Sequence, residues 1–222
     1  MEAVSTAESL TSKAYAQLRA AIIAGELEPG RKLKIDELRQ LYGYGGSPIR
    51  EALSLLTSDG LVARLEQRGF NVADVSREEF SELLKTRCWL EERALRESIA
   101  QGGTEWEERV ILAQHWLSRE PRSRDEGGAF VANQAWETRH KEFHAALISA
   151  CGSSILLRMC DQLYDQNIRY RMLSGSAAYP GRNVSDEHAA IMQAALDRDA
   201  DLAVTKLIEH YDKTGAFLRE RL

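Results

Sequence analysis

The sequence predicts a mainly α-helical chain in two parts: an N-terminal winged helix-turn-helix and a C-terminal all-helical bundle. Three observations carry this. Apolar residues recur at helical spacing through most of the 222 residues. Strand-prone runs are confined to one short stretch, "LVARLE" and "GFNVADV". From Arg77 onward the strand signals vanish, and long periodic segments follow with short glycine or proline breaks.

The elements follow in order. Residues 1–9 read as a tail ahead of a first domain, 10–75. In "LTSKAYAQLRAAIIAG", Leu10, Ala14, Leu18, Ala21 and Ile22 share a helix face, and Gly25 closes the run. Pro29-Gly30 makes a corner. "IDELRQLY", 35–42, forms a short second helix with Ile35, Leu38 and Leu41 on one face. Ser47 caps a third helix whose first position is Pro48, where a missing N–H costs nothing; Gly60 ends it. The two strand runs meet at Gln67-Arg68-Gly69 as a small hairpin. A second domain, 77–222, then carries predicted helices near 77–101, 104–119, 128–150, 153–173, 183–197 and 199–220. Its breaks fall at Gly102-Gly103, Pro121–Gly128, Gly152 and Gly175–Gly181. Trp89, Trp116, Trp106 and Trp136 all lie inside these helices and are expected to serve helix packing.

Composition excludes several classes. Hydrophobic residues are 44% and charged residues 28%, a balance typical of globular chains. No apolar run reaches the ~20 residues of a membrane helix, and the acidic N-terminus has no apolar core of a secretory signal. The expectation is a cytoplasmic protein. Cys88, Cys151 and Cys160 form no CxxC pair and are odd in number, which suits reduced, mostly buried thiols. The net charge is −5, yet residues 1–72 carry nine Lys or Arg against nine acids. Placement of cations therefore matters more than their total.

Three short helices and a hairpin place a recognition helix for a major groove and a wing for the DNA backbone. Ser47 and Arg50 stand early on the recognition helix, where an arginine bonds a phosphate or a guanine edge. Arg68 and Gly69 occupy the wing tip, and Lys32 and Lys34 lie just ahead of the second helix. The glycine-rich run "GYGGSPIREAL" lacks GxxxxGK[ST] and GxGxxG and follows no strand, so it reads as the turn between two helices, not as a nucleotide loop. The partner implied is double-stranded operator DNA, bound as a homodimer because one recognition helix reads only a half-site.

The second domain carries four of the five histidines at suggestive places. "HKEFH" stacks His140 and His144 one turn apart on a helix. His188 opens the penultimate helix and His210 sits late on the last. Imidazoles converging from separate helices suit Zn²⁺, with Ni²⁺ or Mn²⁺ as other divalent candidates. A metal-dependent helical-bundle enzyme is an alternative. Against it, no acid or base stands at a catalytic spacing beside the histidines, since Glu142 falls on the opposite side of its helix.

The run from "AYAQLRAAIIAGELEPGRKLKIDELRQLYG" through "SPIREALSLLTSDGLVARLEQRGFNVADVS" resembles the N-terminal domain of the GntR family of bacterial transcription regulators. The likeness rests on "I..G.L.PG..L....L", "P.REAL..L...GLV" and the "RGF.V" wing. Gly45 and Gly46 stand where the family commonly has a polar residue and an arginine, and Asp36 stands at a frequent arginine position. Fewer direct base contacts are expected in consequence. "LLKTRCWLEERALRESIA", "RHKEFHAALISACGSSILL" and "DEHAAIMQAALDRDADLAVTKLIEHYDKT" resemble the FCD effector-binding domain of the FadR subfamily. That resemblance implies a metal site in which His144, His188 and His210 match three histidines and His140 replaces an aspartate. It also implies a ligand-facing role for Arg87. In "YDQNIRYRML", Arg169 and Arg171 cannot share a helix face, so one is expected inward, with Asn167 or Tyr170 nearby. The set suits a small carboxylate effector, and the tracts are most similar to the CsiR branch, which is associated with glutarate.

Overall fold

The computed structural model describes residues 9–66, 68–126, 129–173 and 182–220, with the backbone alone for 124–126 and 129–132. Most of the expected tail (1–8), Gln67 at the wing tip, Gly128 in one break and the break at Gly175–Gly181 lie outside the described residues. The chain divides into two compact units, Met1–Val75 and Ser76–Leu222.

In the first unit, α1 (Leu10–Ala24) starts where Ser9 Oγ accepts from the Ser12 N–H and stops at Gly25, whose φ of 81° only glycine adopts cheaply. A short strand, β1 (Lys32–Leu33), leads into α2 (Ile35–Tyr42), closed by Gly43 at φ 74°. Then follow α3 (Gly46–Ser58), β2 (Val62–Leu65) and β3 (Gly69–Val72). The antiparallel sheet has the order β1-β3-β2, with Leu33 opposite Phe70 and Val62 opposite Val72. Leu18, Ile22, Ile49, Leu53, Leu56 and Val72 fill the core between the helices and the sheet.

Two sequence expectations need correction here. The wing was read as two strands, but β1 adds a third; two residues are too few for an alternation signal, and only pairing with β3 makes them a strand. Ser47 does not cap α3. Gly45, at φ −66° and ψ 164°, is the flanking residue and the helix already includes Gly46. Ser47 Oγ instead donates to Glu51 Oε1 at 3.1 Å, and Arg50 falls in the second turn.

The second unit contains α4 (Arg77–Gln101), α5 (Thr104–Arg119), β4 (Ser123–Glu126), β5 (Ala129–Ala132), α6 (Gln134–Ile148), α7 (Ser154–Leu173), α8 (Val184–Leu196) and α9 (Ala200–Arg219). Long α4 packs against α6, α7 and α9; α5 packs against α6 and α8, and α8 against α9. Gly215 on α9 lies so close to Leu84 on α4 that a methyl group there would collide with it. The Trp106 indole on α5 donates to the Ala146 carbonyl of α6 at 3.1 Å. Ser76, Asn133, Asn183 and Asp199 cap α4, α6, α8 and α9 through their side chains.

The helix expected from 128 starts only at Gln134, because β4 and β5 pair as an antiparallel hairpin. The residues "AFVA" carry β-prone Phe130 and Val131, and Asn133 resets the backbone by capping α6. Two of the four tryptophans also depart from expectation. Trp106 and Trp136 are buried, but Trp89 and Trp116 are exposed, Trp89 lying under the Lys85 ammonium.

Candidate functional site

In the first unit, β1, α3 and the wing enclose a cleft of about 500 Å³ whose walls include Lys32, Lys34, Arg50, Arg64, Arg68 and Gly69. Lys34 is held by Glu37 at 2.7 Å. Lys32, Arg50, Arg64 and Arg68 are exposed and carry no ion pair among the described residues. Four uncompensated cations around one concave face form an electrostatic footprint for a polyanion. Arg64 was missed by the sequence reading: the reach of β2 toward the cleft follows from its pairing with β3, not from any motif. Ser47 is tied to Glu51, which Thr11 also contacts at 2.8 Å.

In the second unit, α6, α8 and α9 bring His140, His144, His188 and His210 together. One ligating atom from each lies within 4.8 Å of the others, and all four side chains are buried. The partners on the far side of the rings set the tautomers. Arg87 Nη2 donates to Tyr211 Oη at 2.8 Å, and Tyr211 spends its own proton on Glu91. Its oxygen, 2.9 Å from His144 Nδ1, must then accept, so His144 carries its proton on Nδ1 and leaves an Nε2 lone pair inward. His210 Nδ1 donates to Glu187 Oε2 at 2.8 Å with the same result. His140 Nδ1 lies 2.8 Å from Tyr164 Oη.

Burial, reinforced by the neighbouring imidazoles, holds His140, His144 and His188 well below the ordinary histidine value. Burial also pushes His210 down to about 4, although the hydrogen bond to Glu187 opposes it. All four are therefore neutral near pH 7, the form that ligates a metal.

The donor set fits a divalent ion. His188 Nε2 is buried with no hydrogen-bond partner among the described residues, an orphan that costs about 1–3 kcal/mol unless something satisfies it. His140 Nε2 and His144 Nε2 lie 3.1 Å apart. Two lone pairs at that separation repel without a proton or cation between them. Nitrogens sharing one Zn²⁺ at bond lengths of ~2.0–2.1 Å stand at a similar spacing. Trp136 stacks on His140 with centroids 4.5 Å apart and closes one side.

The expected effector residues are placed differently from one another. Arg87 is buried and committed: Nε to Glu91 Oε1 at 2.6 Å, Nη1 to Asn167 Oδ1 at 3.1 Å, and its guanidinium 4.1 Å from the Tyr211 ring centroid. Burial disfavours its charge, but Glu91 and Tyr211 outweigh that and raise its pKa. Both Arg169 and Arg171 are largely buried, where one inward residue was expected. Tyr164, Asn167 and Arg171 share a stripe of α7 toward the histidines, and Arg171 pairs with buried Glu137. Arg169 stands about 200° away around the helix. Sequence reasoning missed Glu91, Tyr164, Glu187 and Tyr211. The i, i+4 pairing of Arg87 with Glu91 was a readable signal; the two tyrosine contacts span helices distant in sequence.

Two cavities adjoin the cluster. One of about 270 Å³, mostly apolar, includes Glu91, Lys141, His144, Cys160 and Tyr164 in its walls. The other, of about 210 Å³, reaches His188 between α5 and α8. Cys151 and Cys160 are buried and Cys88 partly so; all three are free thiols.

Comparison with known proteins places both units. Residues 10–72 match the family "Bacterial regulatory proteins, gntR family" and residues 82–213 match the FCD domain. The HTH-type transcriptional regulator BphR of Paraburkholderia xenovorans is 38% identical over 98% of this chain and 88% of its own length. The HTH-type transcriptional repressor GlaR of Escherichia coli is 32% identical, covering 88% and 90% respectively. Among solved structures, E. coli McbR/YncC superimposes with a TM-score of 0.77 at 20% identity over 96% of this chain and 98% of its own, which shows a shared fold. The relatives are transcription regulators, so the enzyme alternative falls away. No helix among the described residues is long and apolar enough to cross a membrane. The chain belongs to the GntR family of DNA-binding transcription regulators, its winged helix-turn-helix joined to an FCD domain.

Proposed function

We propose that the protein is a cytoplasmic repressor that binds a pseudo-palindromic operator as a homodimer and releases it when a small carboxylate enters the FCD domain. The observation that carries the sensing half is the four-histidine cluster with its orphaned His188 Nε2. His140, His144, His188 and His210 would hold the ion, Zn²⁺ first and Ni²⁺ or Mn²⁺ as alternatives. When bound, the metal supplies a Lewis-acidic anchor for anionic oxygen. With four neutral ligands in place of three and an aspartate, the site keeps one more positive charge, which favours an acid as the remaining donor. A short dicarboxylate such as glutarate fits the size of the adjoining cavities.

Arg87 and Asn167 brace Tyr211 and, through it, His144; Arg171 lies near the cluster and adds to the field that favours an anion. Arg169 has no assigned part beyond its burial. Protein purified without a histidine tag is expected to carry close to one equivalent of divalent metal. Short dicarboxylates are expected to weaken its operator complex, and operator to weaken acid binding by the same factor. Metal-free protein that still responds to acids would overturn the metal reading.

For the DNA half, Lys32, Lys34, Ser47, Arg50, Arg68 and Gly69 form the proposed operator face, joined by Arg64. Gly45 and Gly46 leave the start of the recognition helix bare, so backbone and shape readout replaces some base contacts. A Cβ at Gly46 would meet Arg39 Cδ at 3.6 Å, an ordinary contact, so a side chain fits. Gly46→Arg is expected to tighten operator binding and to steepen its salt dependence by about one charge. Titrations at several salt concentrations check this; unchanged affinity and slope would count against the placement of this helix in the groove.

A further inference from the structure

The α5–α8 cavity has chemistry that the histidine cluster does not explain. Its walls include Gln114, Ser118, Arg122, Arg182, Ser185 and His188. Gln114 is 7% exposed, and its Oε1 has no hydrogen-bond partner among the described residues. The metal reading leaves this atom unsatisfied. It belongs to a residue on a different helix from the four histidines, and that residue lines a chamber of about 210 Å³.

Buried acceptors without donors are costly and rare, so the chamber selects an occupant that brings a donor. A carboxylate cannot do so, being acceptor-only when ionised. A hydroxyl can: it donates to the Gln114 carbonyl oxygen and accepts from an amide, a serine or a guanidinium. The other cavity offers no such pairing. Its lining is predominantly apolar and bears Glu91 and the ion-paired Lys141 and Asp161. Arg182, in the wall of the chamber beside His188, donates to Glu187, Thr214 and the His210 carbonyl.

We propose that the effector is a hydroxylated carboxylic acid, taken up in the α5–α8 chamber, and that Gln114 is the residue that selects its hydroxyl. This rests on the sensor reading above and narrows it from short dicarboxylates to those bearing a hydroxyl near one carboxyl group. The carboxylate lies toward His188 and Arg182, and the hydroxyl toward Gln114 and the serines. A site built to bond a hydroxyl rejects the analogue that lacks it, because its own polar groups are then left unpaired.

The test compares matched acids on metal-loaded, full-length protein: succinate with malate, and glutarate with 2-hydroxyglutarate. Calorimetry gives the affinities and operator release gives an independent readout. Wild type is expected to bind the hydroxy acid of at least one pair about 10-fold more tightly or better. Gln114→Leu is expected to bring that ratio close to one, by weakening the hydroxy acid and relieving the penalty on the plain acid, with metal content unchanged. Gln114→Glu, which keeps an acceptor, is expected to retain part of the preference. If the acids bind and release operator but the ratio is near one in wild type, or survives Gln114→Leu, the assignment of Gln114 is overturned while the sensor reading stands. If no acid binds at all, the sensor reading itself fails, and this inference with it.

Discussion

Replacing Arg87 with methionine is expected to destabilise the helical unit by about 3–5 kcal/mol, a large fraction of the ~5–15 kcal/mol that holds a typical domain together. The reason is what remains. Glu91 is only 2% exposed, and Arg87 is its charge partner at 2.6 Å. Without the guanidinium, the carboxylate is stranded in a low-dielectric interior with the Tyr211 hydroxyl as its remaining hydrogen-bond donor among the described residues. Removing both charges is much less harmful, since burying an ion pair costs nearly as much desolvation as it returns. Arg87→Met with Glu91→Leu is therefore expected to recover most of the loss. Urea unfolding of the three variants measures this as a double-mutant cycle. A single Arg87→Met loss below about 1 kcal/mol, with acid binding abolished, would instead mark Arg87 as a direct effector ligand.

Acidification of the metal-free protein is expected to have an effect of similar size. Each cluster histidine has a folded-state pKa below its unfolded value of ~6.5. The unfolded chain then binds protons that the folded chain refuses. Stability from this source is fully present above the unfolded pKa and is lost as pH falls through it toward the folded values. Each such group contributes a slope of up to about 1.4 kcal/mol per pH unit, so four give up to ~5 kcal/mol per unit below about pH 6. His210 ceases to contribute below its own value of about 4. Glu187 is held below its usual range by His210 and Arg182 against the opposing effect of burial, and its contribution is lost only at more acid pH, below the unfolded carboxylate value. Thermal melts of chelator-treated protein between pH 7.5 and 5 test this. His188→Gln is expected to flatten the slope by about a quarter. Stoichiometric Zn²⁺ is expected to move the collapse to lower pH, because the ion binds the folded state and competes with protons. A melting temperature independent of pH over that range would show that the imidazoles are not buried as a neutral group.

Much of this was legible in the chain because it is local. Helix starts at Ser9, Ser76 and Asp199 and the stops at Gly25 and Gly43 are short-range backbone chemistry, carried by side chains within a few residues. The stacking of His140 on His144 follows from their four-residue spacing, and the pairing of Arg87 with Glu91 could have been read in the same way. Where local signals were ambiguous, tertiary pairing won. Residues 129–132 joined β4 instead of opening a helix, Lys32–Leu33 became a strand only by meeting β3, and Ser47 turned to Glu51 once Gly45 took the extended flank.

The amino-acid sequence by itself determined the two-part architecture, the helix-turn-helix with its bare glycine turn, and the histidines available to one face of each helix. Periodicity, caps and glycines with positive φ are properties of short segments and need no partner. The tertiary structure alone decided which nitrogens are free. Tyr211 reaches His144 across 67 residues, Tyr164 reaches His140 across 24, and Glu187 reaches His210 across 23. Packing fixes the tautomers of His144 and His210, buries the rings in neutral form, commits Arg87 to Glu91, and leaves His188 Nε2 and Gln114 Oε1 without partners among the described residues. Burial and long-range hydrogen bonding exist only after the helices pack, and no spacing along the chain encodes them.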